Sequence, residues 1–499
     1  MGRMTHPTPA YDRLTRTWLR LYRLGHLQSL ASWDQAANMP PKGNEARGHA
    51  MAEIAMLTHG MRTDPALRDD LARAADEPLD DLQRANLREI ERDWVRANAL
   101  PAELVERRAL ATTRCEFAWR GQRKANDWAG FLPNVKEVFE VGRAEARCLA
   151  ERSGLDPYDA LIDRFEPGMR GAEIERIFAD VRGWLPGVVA RVTEKQAREP
   201  VLPLEGPFDR AAQRALCEQV MRLMGFDFEG GRLDVSAHPF SGGVPEDVRL
   251  TTRFRDDEFI QSLMGTIHET GHGRYEQNLP RELLGQPVAE ARSMGLHESQ
   301  SLSFEMQIGC HPGFVARLAP LVRAAFGDRP AFETGNLQRA LTRVQPSFIR
   351  VDADEVTYPA HVMLRFEIER GLIEGRYEVE DIPALWDEHM MALLGVDTRG
   401  NYRDGPMQDV HWAEGLFGYF ACYSLGAMYA AQWFATMRRT MDVDALVAAG
   451  ELAPVFDWLR ENIWLQGSRW TTDELARRAS GETLNPAHFK AHLEARYLG

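Results

Sequence analysis

Apolar residues recur at three- and four-residue intervals along most of the chain. Leu14, Trp18 and Leu21 fall at i, i+4 and i+7, while Ile174, Ile177, Phe178, Val181 and Leu185 line one face of another segment. Such spacing predicts amphipathic helices. Similar patterns run through the first 198 residues and resume after residue 255, with no fixed repeat length that would suggest a solenoid. The pattern breaks between Pro200 and Phe240. Pro200, Pro203 and Pro207 punctuate the chain there, marking a boundary between a helical N-terminal lobe of about residues 1–199 and a second lobe of about 200–499. Leu233, Val235 and Ala237 then alternate with polar residues, as do Val248, Leu250, Thr252 and Phe254. Ser241-Gly242-Gly243 lies between the two runs, so the stretch reads as a small β-hairpin or ribbon inside a mainly α protein. Asp256 or Asp257 can cap the next helix, whose apolar face is Phe259, Ile260, Leu263, Met264 and Ile267.

That helix runs into His268-Glu269-Thr270-Gly271-His272. Histidines four apart sit one above the other on a helix face, so both imidazoles can reach one cation. A catalytic zinc site of this kind takes a third protein ligand and keeps a fourth position for water. The metal lowers the pKa of that water to about 7, and Glu269, beside the first histidine, is placed to accept its proton. Gly271 adds weight, because a glycine inside a helix costs about 1 kcal/mol relative to alanine and suggests close backbone approach. The third ligand lies elsewhere: Asn278 occupies the position six residues past His272. The next polar cluster, His297-Glu298-Ser299-Gln300, opens a further helical segment through Leu302 and Met306. Spacing leaves both Glu298 and His297 open as the ligand, and a helix-start glutamate is also favoured by the macrodipole.

Composition narrows the class. With 44% hydrophobic and 27% charged residues, the 499-residue chain is an ordinary globular protein. Its net charge of −14 disfavours binding to nucleic acid. Five scattered cysteines without a CxxC fit a reducing compartment, and the polar stretch from Met1 to Asp12 lacks the apolar core of a secretion signal. The expected setting is the cytoplasm. Gly415 to Ala435 carries no charge over 21 residues, yet three tyrosines, three glycines, Ser424 and Gln432 make it a buried core helix rather than a membrane span.

The ordered motifs resemble those of the Taq-type thermostable carboxypeptidases, helical metallocarboxypeptidases that use HExxH. His238-Pro239-Phe240 is followed by Asp247-Val248-Arg249-Leu250-Thr251 (DxRxT), then by HExxH and His297-Glu298-Ser299-Gln300. Ile349-Arg350-Val351-Asp352-Ala353-Asp354 matches [IV]RxxAD, and Gly405 to Trp412 matches GxxQDxHW. Ser32-Trp33-Asp34-Gln35 with Met39-Pro40 extends the likeness to the N-terminus, and Ala421-Cys422 stands where the family has Pro-Thr. The resemblance implies one domain over residues 1–499: a saddle-shaped helical fold with a deep groove, usually a homodimer, with 200–499 as its catalytic lobe. It implies one divalent metal, by default Zn2+ with Co2+ or Mn2+ as alternatives, held by His268, His272 and Glu298, and Glu269 as general base and acid.

A carboxypeptidase must bind a free C-terminal carboxylate, which a guanidinium suits. Arg350 is the candidate, against a structural pairing with Asp352 or Asp354. His411 and Tyr423 are candidate donors to the oxyanion or the carboxylate, and His238 is a further candidate. Arg249, Trp33 and Asp34 read as structural. The expected activity is release of single C-terminal amino acids from peptides with broad specificity. The rivals are a helical HExxH oligoendopeptidase and a binding scaffold with a structural metal.

Overall fold

A computed structural model of the protein describes residues 7–499 apart from His238. Helices dominate it, as the periodicity predicts. Leu14, Trp18 and Leu21 are buried along a 29-residue helix, Pro9–Ala37. Ile174, Ile177, Phe178, Val181 and Leu185 are buried along Gly171–Gln196. Most of the buried apolar residues among those described fall into two clusters. One joins Ala10 to Ile90; the other runs from Ala99 to Tyr497 and crosses residue 200 without interruption. The uncharged stretch is indeed core: 14 residues of the helix Ala421–Met437 are buried. Among the described residues, no helix is long and apolar enough to cross a membrane.

Two expectations between Pro200 and Phe240 need correction. Residues 201–209 are irregular, but a helix, Arg210–Leu223, follows them and buries Gln213, Leu216, Cys217, Val220 and Met221. That is an i, i+3, i+4, i+7, i+8 stripe, short enough to be overlooked among the flanking prolines. The β element has three strands, not two: β1 (Gly231–Val235), β2 (Phe240–Val244) and β3 (Asp247–Thr252), in the order β1-β3-β2. β1 pairs with β3 in parallel, Leu233 opposite Leu250, and β2 pairs with β3 antiparallel, Ser241 opposite Leu250. Ser241-Gly242-Gly243 is therefore an edge strand, and the reversal falls at Pro245-Glu246. Glycine there does not mark a turn; it permits close approach. Gly243 has φ = +104°, and its N–H donates to Ser29 Oγ on the first helix at 3.0 Å.

The HExxH helix spans Ile260–Gln277. Glu258, rather than Asp256 or Asp257, serves its start: its Oε1 accepts from Gln261 N at 2.7 Å. The two aspartates instead bind Arg210 and Arg255. The second helix, Met294–Leu302, is capped by Ser293, whose Oγ accepts from Leu296 N. The two helices almost touch at Gly271, where a Cβ would lie 2.5 Å from the Gln300 carbonyl oxygen and 2.6 Å from Ser301 Cα. Gly271→Ala is therefore expected to destabilise. The gain of about 1 kcal/mol in helix propensity is outweighed by an overpacking cost of about 1–3 kcal/mol, because the obstructing atoms are backbone. The check is a denaturant titration, in which the variant midpoint falls below wild type.

Candidate metal centre

His268 and His272 project from one face of the Ile260–Gln277 helix toward Glu298 on the neighbouring helix. Glu298 Oε2 lies 3.8 Å from His268 Nε2 and 3.5 Å from His272 Nε2. One ligand atom from each residue falls within 4.8 Å of the others, the one such trio among the described residues. Ligand bonds of about 2.0–2.2 Å in a tetrahedron place ligand atoms about 3.4 Å apart, so a divalent cation fits this trio. Gly426, on the helix Ala421–Met437, lets a third backbone in behind Glu298: a Cβ there would lie 2.6 Å from Glu298 Cβ.

The electrostatics point the same way. Glu269, Glu298 and Glu305 surround the His268 imidazole, and Glu298 also faces His272. Burial alone would lower the His268 pKa, but the Glu298, Glu305 and Glu269 carboxylates raise it to about 10. Burial lowers His272 to about 4, because only Glu298 among the carboxylates offsets it. Glu298 is held below its usual range: burial pushes it up, and the surrounding histidines more than reverse this. Glu269 is raised by burial to about 7, and its Oε2 is buried with no hydrogen-bond partner. Such a concentration of carboxylates calls for a cation.

The outer nitrogens are also engaged. His268 Nδ1 lies 2.8 Å from Glu305 Oε2. Glu305 belongs to a π-helical stretch, Ser303–Gly309, that continues the Glu298 helix; π segments often occur at functional sites. His297, open as a ligand on spacing alone, turns both nitrogens elsewhere, Nδ1 to His272 and Nε2 to Glu276.

The trio lies in a groove of about 1240 Å³, walled by the first helix, β2, the HExxH helix and the segments carrying Arg350 and Tyr423. Arg350 is buried and pairs with neither Asp352 nor Asp354. Its Nε and Nη2 donate to Asp409 Oδ1 at 3.1 and 2.8 Å, and its Nη1 donates to Tyr358 Oη at 2.6 Å. Asp409 also receives Arg365, so two guanidinium groups keep its carboxyl ionised far below the usual range despite burial. Asp354 instead accepts from Val356 N and Thr357 N in the turn that precedes the helix Tyr358–Glu374. Tyr423 lines the groove with its ring 4.7 Å from the Arg350 guanidinium, and its Oη lies 3.1 Å from His411 Nε2. His411 stands behind Tyr423, with burial lowering its pKa to about 4. His238 lies outside the described residues. Arg249 pairs with Asp247 and stacks on Trp33, and Asp34 binds Arg47.

Glu276, Glu305, Tyr358 and Asp409 were not singled out by sequence. Glu276 follows His272 by four residues, a spacing that shares its helix face. Glu305 follows Glu298 by seven, a spacing two helical turns long. Asp409 sits inside the GxxQDxHW motif. Tyr358 carries no such signal.

Fold and site together define a helical metallopeptidase. Residues 13–497 match the family described as Carboxypeptidase Taq (M32) metallopeptidase, and the chain belongs to that family. It is 39% identical to thermostable carboxypeptidase 1 of Thermus thermophilus, covering 98% of this chain and 99% of that protein. Metallocarboxypeptidase 1 of Trypanosoma cruzi superposes with a TM-score of 0.97 at 49% identity, covering 99% of this chain and all of that one. A Pyrococcus furiosus carboxypeptidase gives 0.94 at 30% identity, with 99% of each chain covered. The protein is accordingly a metallocarboxypeptidase that requires a divalent metal, and the oligoendopeptidase and scaffold readings give way.

Proposed function

We propose that His268, His272 and Glu298 hold one divalent ion, Zn2+ by default for a His2Glu set, and that Glu269 is the general base and acid. The carrying observation is the convergence of the two Nε2 atoms on Glu298 Oε2, with the unpaired Glu269 oxygen beside them. A bound metal supplies Lewis acidity toward the scissile carbonyl and a lowered water pKa. Glu269 takes a proton from the attacking water and returns it to the leaving amine. Arg350, steadied by Asp409 and Tyr358, receives the terminal carboxylate with its remaining N–H groups. Tyr423, backed by His411, donates to the developing oxyanion or to that carboxylate. His238 is retained as a further substrate contact.

The substrates in this reading are peptides with a free C-terminus, cleaved with broad specificity, and neither nucleic acid nor membrane is a partner. The whole chain acts as one catalytic domain, with the lobes meeting near residue 200. A cytoplasmic setting is supported by five free cysteines, four of them buried. A homodimer follows the family resemblance. The test is a peptide offered as free acid and as C-terminal amide. The free acid is expected to lose its last residue, and amidation to abolish release; equal cleavage of both would overturn the carboxylate-recognition reading.

A further inference from the structure

His297 is left without a part in the reaction described above, although it packs directly on a ligand-bearing ring. Its centroid is 4.7 Å from that of His272. Its Nδ1 lies 2.6 Å from His272 Nδ1, and its Nε2 lies 2.8 Å from Glu276 Oε1. Glu276 stands one helical turn beyond His272 on the groove wall.

Two Nδ1 atoms this close share a single hydrogen. Suppose His272 owns it. Then His272 Nε2, the atom facing Glu298, carries the lone pair that coordination needs. His297 accepts at Nδ1 and holds its own hydrogen on Nε2, where the Glu276 carboxylate accepts it. Suppose instead that His297 donates to His272. The hydrogen of His272 must then sit on Nε2, which blocks the ligating position. A neutral His297 would also turn a bare lone pair toward Glu276, acceptor against acceptor. Only the first arrangement places a hydrogen in every contact and leaves Nε2 free.

We propose that Glu276 and His297 form a relay that fixes His272 in its metal-binding tautomer. His297 is thus a positioning residue, and Glu276 reaches a ligand at one imidazole's remove, whereas Glu305 touches His268 directly. The proposal rests on the reading that His268, His272 and Glu298 hold the metal. Outer partners of this kind change metal affinity by about 10–100-fold.

The experiment measures Zn2+ affinity of the full chain by competition with a chromophoric chelator, for wild type, E276Q, H297L, the double variant and H272A. Melting temperatures of the metal-free proteins are recorded alongside. H297L is expected to weaken binding by about 10–100-fold. E276Q, whose amide can donate to His297 and so reverse the relay, weakens it by about tenfold without changing the metal-free melting temperature. The double variant binds no more weakly than H297L, because the two residues act in series. H297Q, which can still accept from His272, recovers part of the loss. Affinities for E276Q and H297L within about twofold of wild type, with H272A impaired, would overturn the relay. Losses that multiply in the double variant would overturn it equally. If H272A binds Zn2+ like wild type, the metal assignment fails first and the relay falls with it.

Discussion

Glu269→Gln is expected to keep its metal and lose turnover by about 10²–10⁴-fold, the span typical of a lost general acid–base group. The amide is isosteric, so the packing at this 8%-exposed position is preserved. What it removes is the ability to take up and return a proton. No other described contact occupies Glu269 Oε2, so a structural role for that oxygen has no partner to explain it. The check pairs metal analysis with peptide turnover. Metal content should match wild type while kcat collapses. Near-normal kcat would remove Glu269 from the chemistry.

The second large effect is expected at Arg350. Replacing it with methionine should lower kcat/KM on a free-acid peptide by about 30- to 5,000-fold, since truncating one member of a buried, charged hydrogen-bonded pair costs about 2–5 kcal/mol. The preference for free acid over amide should shrink with it. A purely structural Arg350 makes a different prediction. Asp409 would lose one of its two guanidinium partners, keeping Arg365 at 2.6 Å, so stability would fall while the acid-to-amide ratio stayed put. Comparing that ratio between wild type and variant therefore separates the roles, with the melting temperature as the companion reading.

The parts of the fold legible in the sequence were those carried by local periodicity. The first helix and Gly171–Gln196 bury the residues that their spacing selects, and the helix spacing of His268 and His272 places both rings on one side. Gly271 was legible for the same reason: its cost in a helix signals an approach that the Gln300 backbone makes visible. Relations between distant segments were not legible. Whether Glu298 or His297 faces the histidines depends on how the second helix is rotated, which sequence spacing leaves open. Glu305 reaches His268 through a π-helical stretch that no periodicity announces. Arg350 finds its carboxylate 59 residues away at Asp409 rather than next door. The sheet was misread because a strand poor in side chains resembles a turn until its partner β3 is known.

In the proposed centre, one divalent ion is held by two imidazoles of a single helix and a carboxylate of the next. Metal stoichiometry of wild type and Glu298→Ala, after dialysis against a weak chelator, tests it most directly. One equivalent of metal is expected in the wild type and a large loss in the variant. Undiminished metal in Glu298→Ala would contradict it.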